Sequence, residues 1–281
     1  MCKIGVIGGS GIYELDEIKD IKEITVHTPF GDPSDSVIYG KLFNHDVYFL
    51  TRHGRGHRIP PSDINYRANI YALKSLGVEK IFSVGAVGSM KEEIHPGDMV
   101  VVTQFIDRTF GRISSFFTKD IVAHVSFADP VCLEFANVIY RSSKNIYQRT
   151  HNNATYICIN GPQFSTRAES KLYRSWGVDV IGMTNVTEAK LAREAGICYA
   201  TLALATDYDC WKDNDAVNAF DILEIIKQNV NNAKKIIVET IKNIQEVRHC
   251  NCKDSLKNAL MTQKDKISYE TYNKLKILLK T

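Results

Sequence analysis

The chain has 281 residues and the composition of a folded globular protein, with 44% hydrophobic and 24% charged residues. This composition excludes extended disorder and collagen-like repeats, and the length is compatible with one α/β domain. The 35 Lys and Arg residues only just outnumber the 32 Asp and Glu residues, whereas nucleic-acid-binding proteins carry a larger basic excess. We therefore expect a small anion, and no nucleic acid, as the charged partner.

No run of apolar residues reaches the roughly 18 residues of a membrane span, and Met1-Cys2-Lys3 leads directly into an apolar strand. We expect no membrane association and a cytoplasmic location. The seven cysteines form no C-x-x-C pair and have no His at zinc spacing. Their spacing predicts buried thiols and no metal site.

Short apolar runs predict buried strands, which are residues 3–8, 47–50, 81–84, 99–102, 155–159, 178–181 and 198–205. Apolar residues at helical spacing predict helices over 64–76, 186–195 and 222–244. This alternation predicts an α/β fold with a mostly parallel or mixed central β-sheet flanked by helices. The polar segment 248–281 is equally compatible with a docked terminal helix and with a partly mobile tail.

Two motifs after predicted strands suit an anion. Gly8-Gly9-Ser10-Gly11 offers backbone N–H groups and a hydroxyl, although a tight turn without ligand explains it equally well. The segment from Arg52 to Arg58 contains three Arg and two His, and Arg provides a bidentate fork for phosphate. A basic surface loop is the alternative reading of this segment.

Four further motifs follow predicted strands: Gly85-Ala86-Val87-Gly88-Ser89, the segment 161–167 with Phe164 and Ser165, Met183-Thr184, and Thr206-Asp207-Tyr208-Asp209. Each has a structural alternative, namely a turn, core packing of Phe164 and Met183, or a helix N-cap for the acidic pair. One parallel sheet would bring all these motifs to one edge. There they would form a sugar-phosphate or nucleoside site.

Taken in order, these motifs resemble S-methyl-5'-thioadenosine phosphorylases of the trimeric purine nucleoside phosphorylase family. The resemblance covers residues 3–245, and residues 55–61 and Cys250-Asn251-Cys252 look like the archaeal branch. The matching motifs are residues 7–11, 28–31, 52–55, 65–66, 86–89, 96–98, 104–107, 161–162, 167–170, 182–184 and 205–209. The resemblance implies a nucleoside phosphorylase domain over residues 1–247 and a C-terminal extension over 248–281.

Such enzymes cleave 5'-methylthioadenosine with inorganic phosphate, without a metal or organic cofactor. The resemblance assigns phosphate binding to Ser10, Arg52, His53, Ala86, Ser165 and Thr184. It assigns substrate binding to Met183, Phe164, Val87, Gly88, His57, Val217, Phe220 and Leu223, with His124 supplied by a neighbouring subunit of a homotrimer or homohexamer.

Asp207 and Asp209 are the expected catalytic pair. As the glycosidic bond breaks, charge develops on the purine, and a carboxylic acid at Asp207 can protonate N7 while Asp209 holds the 6-amino group. This pair favours adenine, and the alternative within the same class is a 6-oxopurine nucleoside or methylthioinosine phosphorylase.

Several positions depart from the family pattern. Gly85 stands where relatives carry a phosphate-binding Thr or Ser, so a catalytically silent binding module is a further hypothesis. Gln163 and Thr187 replace a common Arg and Pro. Resemblance to the disulfide-rich archaeal members also raises a bridge between Cys132 and Cys198.

Overall fold

The computed structural model describes residues 2–9, 11–12, 14–212 and 219–279, with the side chains of 219–223 outside that description. Within these ranges there are nine strands: β1 (Lys3–Gly8), β2 (Lys19–Ile24), β3 (Val37–Leu42), β4 (His45–Thr51), β5 (Lys80–Ser89), β6 (Met99–Arg108), β7 (Thr150–Ile159), β8 (Val180–Gly182) and β9 (Cys198–Asp207). Its helices are α1 (Tyr66–Ser75), α2 (Leu133–Ile146), α3 (Arg167–Ser175), α4 (Asn185–Glu194), α5 (Ala219–Asn243) and α6 (Tyr269–Leu279).

All nine strands belong to one mixed sheet in the order β2-β3-β4-β1-β5-β8-β7-β6-β9, and an additional β5–β9 pairing closes its second half into a ring. Strand β5 runs parallel to β1 and β9 but antiparallel to β8. Helices flank this sheet, and buried apolar side chains from both fill the core. The predicted fold class is confirmed.

The sequence pattern found the buried strands but missed β2, β3, α2 and α3. Strand β2 is almost fully exposed at the sheet edge, so it lacks a buried apolar run. Helix α3 buries only Ser170 and Tyr173, which leaves little apolar periodicity to detect. Its start is instead fixed by a capping box, in which Thr166 and Glu169 satisfy each other's backbone N–H groups.

We expected one parallel sheet to bring all the motifs to one edge, but β8 runs antiparallel to β5. Ile181 of β8 pairs with Gly88 of β5 in antiparallel register, and extending this register places residue 184 beside residue 85. Pairing of β5 with β9 is parallel but shifts between Val87 and Gly88, which sets Asp207 opposite Gly88. The predicted loops therefore meet along β5 through an antiparallel neighbour and a bulge.

The C-terminal segment carries helix α6, which packs against α1. Leu275 and Leu278 of α6 are buried, and the Tyr71 hydroxyl donates to the Lys274 carbonyl at 3.2 Å. None of the helices in the described ranges has the length and apolar character needed to cross a membrane.

Candidate functional site

Arg52 lies at the carboxyl end of β4 and is 2% exposed. Its Nε and Nη2 donate to the two carboxylate oxygens of Glu188, Nη2 also donates to Ser83 Oγ at 2.7 Å, and Nη1 donates to the Val84 carbonyl at 2.9 Å. Four of the five guanidinium N–H groups are thus used in these contacts. The ion pair fixes the guanidinium beside β5 with one Nη1 N–H left for a further acceptor.

A buried polar network surrounds this ion pair and connects it to helix α4. The amide nitrogen of Asn185 lies within hydrogen-bond distance of three oxygens, to which its two N–H groups can donate: Ser83 Oγ at 3.0 Å, Tyr199 OH at 3.0 Å and Thr201 Oγ1 at 2.7 Å. Thr184 is the N-cap residue of α4, so the positive end of a helix dipole lies at this point. Fixed N–H donors and a helix N-terminus make this region suitable for an anion.

Apart from Arg52 and Thr184, the residues of this network were not singled out by the sequence motifs. Ser83 and Thr201 sit inside otherwise apolar strands, and a polar residue in such a strand must find a buried partner. These two polar residues inside apolar strands were the feature of the sequence that could have predicted a buried polar cluster. The side chain that completes it, Glu188, comes from a helix about 100 residues away in sequence from Ser83.

His53 follows Arg52 and is held in a defined orientation. Its Nδ1 donates to the Ile59 carbonyl at 2.8 Å, which leaves Nε2 with a free lone pair in the neutral ring. Burial, together with the nearby Arg52 and His57, lowers the pKa of His53 to about 4. The ring of His57 stacks on it at 4.2 Å between centroids. His53 is therefore neutral at physiological pH.

Two glycines of β5 face the two halves of the site. A Cβ atom at Gly85 would lie 3.6 Å from both Arg52 Nη1 and Asn185 Oδ1. At Gly88 it would lie 3.1 Å from Asp207 Oδ1 and 3.3 Å from Asp209 Cβ. Three residues of strand separate these positions by about 10 Å. Of the intervening residues, Ala86 is exposed and Val87 is buried.

Asp207 and Asp209 form a connected acidic pair at the end of β9. The Asp207 carboxylate accepts from Thr206 Oγ1 at 2.7 Å and from the Asp209 backbone N–H at 2.8 Å. Asp209 accepts from the hydroxyls of Ser165 and Ser170. Burial raises the pKa of Asp209, and the neighbouring Asp207 carboxylate raises it further. Asp209 is therefore easier to protonate than an exposed aspartate.

Ser165, predicted to bind phosphate, donates to Asp209 at 3.2 Å and so lies at the acidic end of the site. Phe164 next to it is 82% exposed and packs against no core. The Met183 backbone carbonyl accepts from Arg112 Nη1 at 2.6 Å, and Arg112 Nη2 donates to the Asn160 carbonyl at 2.6 Å. Arg112 therefore joins the two loops that carry Phe164 and Met183.

Of the predicted residues not yet placed, His124 belongs to the described part of the chain. His124 is exposed, and its backbone N–H donates to the Ala259 carbonyl of the C-terminal segment at 2.8 Å. Ser10 and Val217, and the side chains of Phe220 and Leu223, lie outside the described part of the chain.

Comparison with known proteins identifies the family. The model of the phosphorylase superfamily matches residues 3–242. An S-methyl-5'-thioadenosine phosphorylase of Geobacter sulfurreducens is 53% identical over 98% of this chain and 97% of its own length. The corresponding protein of Thermofilum pendens is 48% identical over 92% of this chain and 98% of its own.

Solved structures agree with this assignment. A methylthioadenosine phosphorylase from an antarctic soil metagenomic library superposes with a TM-score of 0.93 at 46% identity, covering 99% of this chain and 98% of that one. The Schistosoma mansoni methylthioadenosine phosphorylase in complex with adenine gives a TM-score of 0.86 at 36% identity, covering 94% and 100%. The chain belongs to the phosphorylase superfamily, within the family of S-methyl-5'-thioadenosine phosphorylases.

Proposed function

We propose that this protein catalyses the phosphorolysis of 5'-methylthioadenosine to adenine and 5-methylthioribose 1-phosphate. The observation that carries the proposal is the arrangement along β5, where an anion-binding cluster at Gly85 and an acidic pair at Gly88 are about 10 Å apart. A purine nucleoside bound between them would have the anion, as nucleophile, beside its sugar and the acidic pair, as proton donor, beside its base. The names of the relatives support the same reaction.

Phosphate is the nucleophile, and the chain binds it at the Gly85 end. The free Nη1 N–H of Arg52, the Thr184 hydroxyl at the N-terminus of α4 and the Ala86 backbone provide donors. The free Nε2 lone pair of neutral His53 accepts the proton of a protonated phosphate oxygen. Fixed donors hold the anion below the anomeric carbon and stabilise the positive charge that develops there. We keep Ser10 as a further candidate contact, whereas the Ser165 hydroxyl lies at the acidic end, where it donates to Asp209.

The acidic pair handles the leaving base. Two adjacent carboxylates repel each other, so the pair takes up one proton more readily than an isolated carboxylate does. With a purine bound, Asp207 donates that proton to N7 and ionised Asp209 accepts a hydrogen bond from the 6-amino group. This pattern fits adenine, whereas a 6-oxo group would face the ionised oxygen. Gly88 permits the close approach, since any side chain there would touch both acids.

The sugar and methylthio ends use the other predicted residues. Met183 and Val87 border the ribose with Gly88, while Phe164 is free to lie against the purine. His57, Val217, Phe220 and Leu223 form the methylthio pocket in this proposal, with His124 from a neighbouring subunit. The exposure of Phe164 and His124 in a single chain is compatible with a homotrimer or homohexamer that completes the site. A cytoplasmic location and phosphate as sole co-reactant complete the proposal.

The test is adenine release from methylthioadenosine with and without inorganic phosphate, beside adenosine, inosine and methylthioinosine. We expect phosphate-dependent release and the highest kcat/KM for methylthioadenosine. Asp207→Asn should lower kcat by about 10²–10⁴-fold, because general acid catalysis contributes that range. A higher kcat/KM for a 6-oxopurine nucleoside, or a folded Asp207→Asn variant of unchanged kcat, would contradict the proposal.

A further inference from the structure

Four cysteines from distant parts of the sequence meet in one cluster away from the candidate active site. Cys132, Cys198, Cys250 and Cys252 place their sulfur atoms all within 4.8 Å of one another. The Sγ atoms of Cys198 and Cys250 are 3.4 Å apart. Three of the four side chains are buried, and Cys250 is half-buried. Such a group of thiols has no role in phosphorolysis.

The dimensions of the cluster suit one tetrahedral ion. With a zinc–sulfur distance of 2.3 Å, the sulfurs of a tetrahedral site are separated by about 3.8 Å. The observed spacing is close to this value, so small side-chain rotations bring all four sulfurs to a common centre. An iron–sulfur cluster needs a wider set of thiolates, whereas a closed set of four sulfurs is typical of structural zinc.

Three of the four cysteines belong to defined elements of the backbone. Cys132 is the N-cap residue of α2, and its N–H donates to the Tyr199 carbonyl at 2.8 Å. Cys198 is the first residue of β9. Cys252 begins a short 3-10 turn over Cys252–Asp254. The ligands therefore come from a helix start, a strand start and a turn, all of which hold a side chain more rigidly than an open loop does.

Two positively charged groups lie next to the cysteine cluster, the guanidinium of Arg248 and the N-terminus of α2. A zinc ion with four thiolates carries a net charge of −2, which burial makes unfavourable without a counter-charge. The guanidinium of Arg248 contacts Cys198, donates to the Gly196 carbonyl at 3.3 Å and pairs with Glu79 at 3.4 Å. The N-terminus of α2 adds a partial positive charge at Cys132.

We propose that Cys132, Cys198, Cys250 and Cys252 form a structural tetrathiolate site for one zinc ion. Binding joins Zn²⁺ to four sulfurs and releases four thiol protons to solvent. We expected no metal site from the sequence because it contains no C-x-x-C pair. The four cysteines escape that pattern, since they come from three chain segments and two of them have C-x-C spacing. Cys250 and Cys252 come just before the part of the C-terminal segment that forms the isolated bridge between Ala123 and Leu260 and then helix α6. A bound ion would therefore tie the start of this segment to α2 and β9.

The experiment measures metal in the full-length protein, purified with reductant and without chelator. Mass spectrometry of the metal content should give one zinc per chain. Anaerobic addition of Co²⁺ to protein stripped of metal should give sulfur-to-cobalt charge-transfer bands and the ligand-field bands of a tetrahedral site. Neither readout depends on catalysis, so the result is independent of the proposed reaction.

Variants localise the metal. Cys250→Ser with Cys252→Ser should reduce zinc to background, whereas Cys158→Ser, a buried cysteine of β7 outside the cluster, should retain it. Removal of zinc by a chelator should also raise the amide hydrogen exchange rates of residues 248–279 by roughly tenfold or more, because the segment loses its link to the core through Cys250 and Cys252.

Two outcomes would overturn the proposal. One is alkylation of unreduced protein that shows these cysteines paired in disulfides with no metal. The other is reduced protein that holds four free thiols and takes up neither Zn²⁺ nor Co²⁺. The cobalt spectrum of the unmodified chain keeps the proposal testable even where the double variant fails to fold.

Discussion

Replacing Gly85 with serine tests where the anion binds. The backbone at Gly85 is extended strand, and an added Cβ would meet its nearest atoms, Arg52 Nη1 and Asn185 Oδ1, at 3.6 Å, an ordinary van der Waals distance. Serine therefore fits without displacing the network. Its hydroxyl would lie next to Arg52 Nη1, which has one N–H left for an anion.

A hydrogen bond to a charged group contributes about 1.5–3 kcal/mol. The lower end applies here because Gly85 is only half-buried and Asn185 Oδ1, 3.6 Å from the added Cβ, competes for the hydroxyl. A gain of about 1.5 kcal/mol corresponds to a roughly tenfold lower KM for phosphate. The assay follows adenine release at saturating methylthioadenosine while phosphate is varied. We expect little change in kcat, because the new contact forms in the ground state as well as in the transition state.

Gly88→Ala is the matched control on the same strand. Its Cβ would lie 3.0 Å from Ile181 and 3.1 Å from Asp207 Oδ1, so it should raise KM for the nucleoside and leave KM for phosphate unchanged. If Gly85→Ser folds normally but leaves the phosphate KM unchanged, the anion does not lie beside residue 85. If it raises the nucleoside KM instead, the two halves of the site have been assigned in the wrong order.

Three further predictions concern single side chains. Glu188→Gln leaves the buried Arg52 charge without its partner and should lower the free energy of unfolding by about 3–5 kcal/mol, with part of the loss restored by millimolar phosphate, in urea unfolding. Burial raises the pKa of Glu194 to about 7, so stability should fall as pH rises from about 4.5 to 7, and Glu194→Gln should flatten that dependence. Ser170→Ala removes a donor to Asp209, which should raise its pKa and move the acid limb of kcat/KM up by about one pH unit.

Each of these has a contradicting result. Phosphate that fails to stabilise Glu188→Gln would separate Arg52 from the anion. For the second prediction the sign follows from the proton count: a buried acid with a raised pKa binds more protons in the folded state, so its contribution disappears above that pKa. Glu93→Gln, at an exposed position, is the control and should leave the pH dependence unchanged. An unshifted acid limb in Ser170→Ala would mean that ionised Asp209 is not required.

Much of the fold could be predicted because burial leaves a direct pattern in the sequence. The strands at 81–84 and 198–205 are apolar apart from Ser83 and Thr201, because neighbours cover both of their faces. Strand β2 and helix α3 leave no such pattern, since the first is exposed at an edge and the second is defined by its cap. Their existence depends on tertiary pairing that a local window does not contain.

The candidate site divides in the same way. Arg52 and Asp207 could be singled out because polar residues directly after buried strands are unusual and point to one sheet edge. Glu188 and Asn185 could not, because their importance comes from a partner far away in sequence. The cysteine cluster is the clearest example, since its ligands come from three segments and only the folded chain brings them together.

Phosphorus NMR of the reaction products tests the central claim most directly. Full-length protein is incubated with methylthioadenosine and inorganic phosphate until adenine release is complete. We expect one anomeric sugar phosphate for each adenine, with an equal loss of inorganic phosphate. Free methylthioribose with unchanged phosphate would show that water is the nucleophile and would contradict the assignment of the Arg52 and His53 cluster to phosphate.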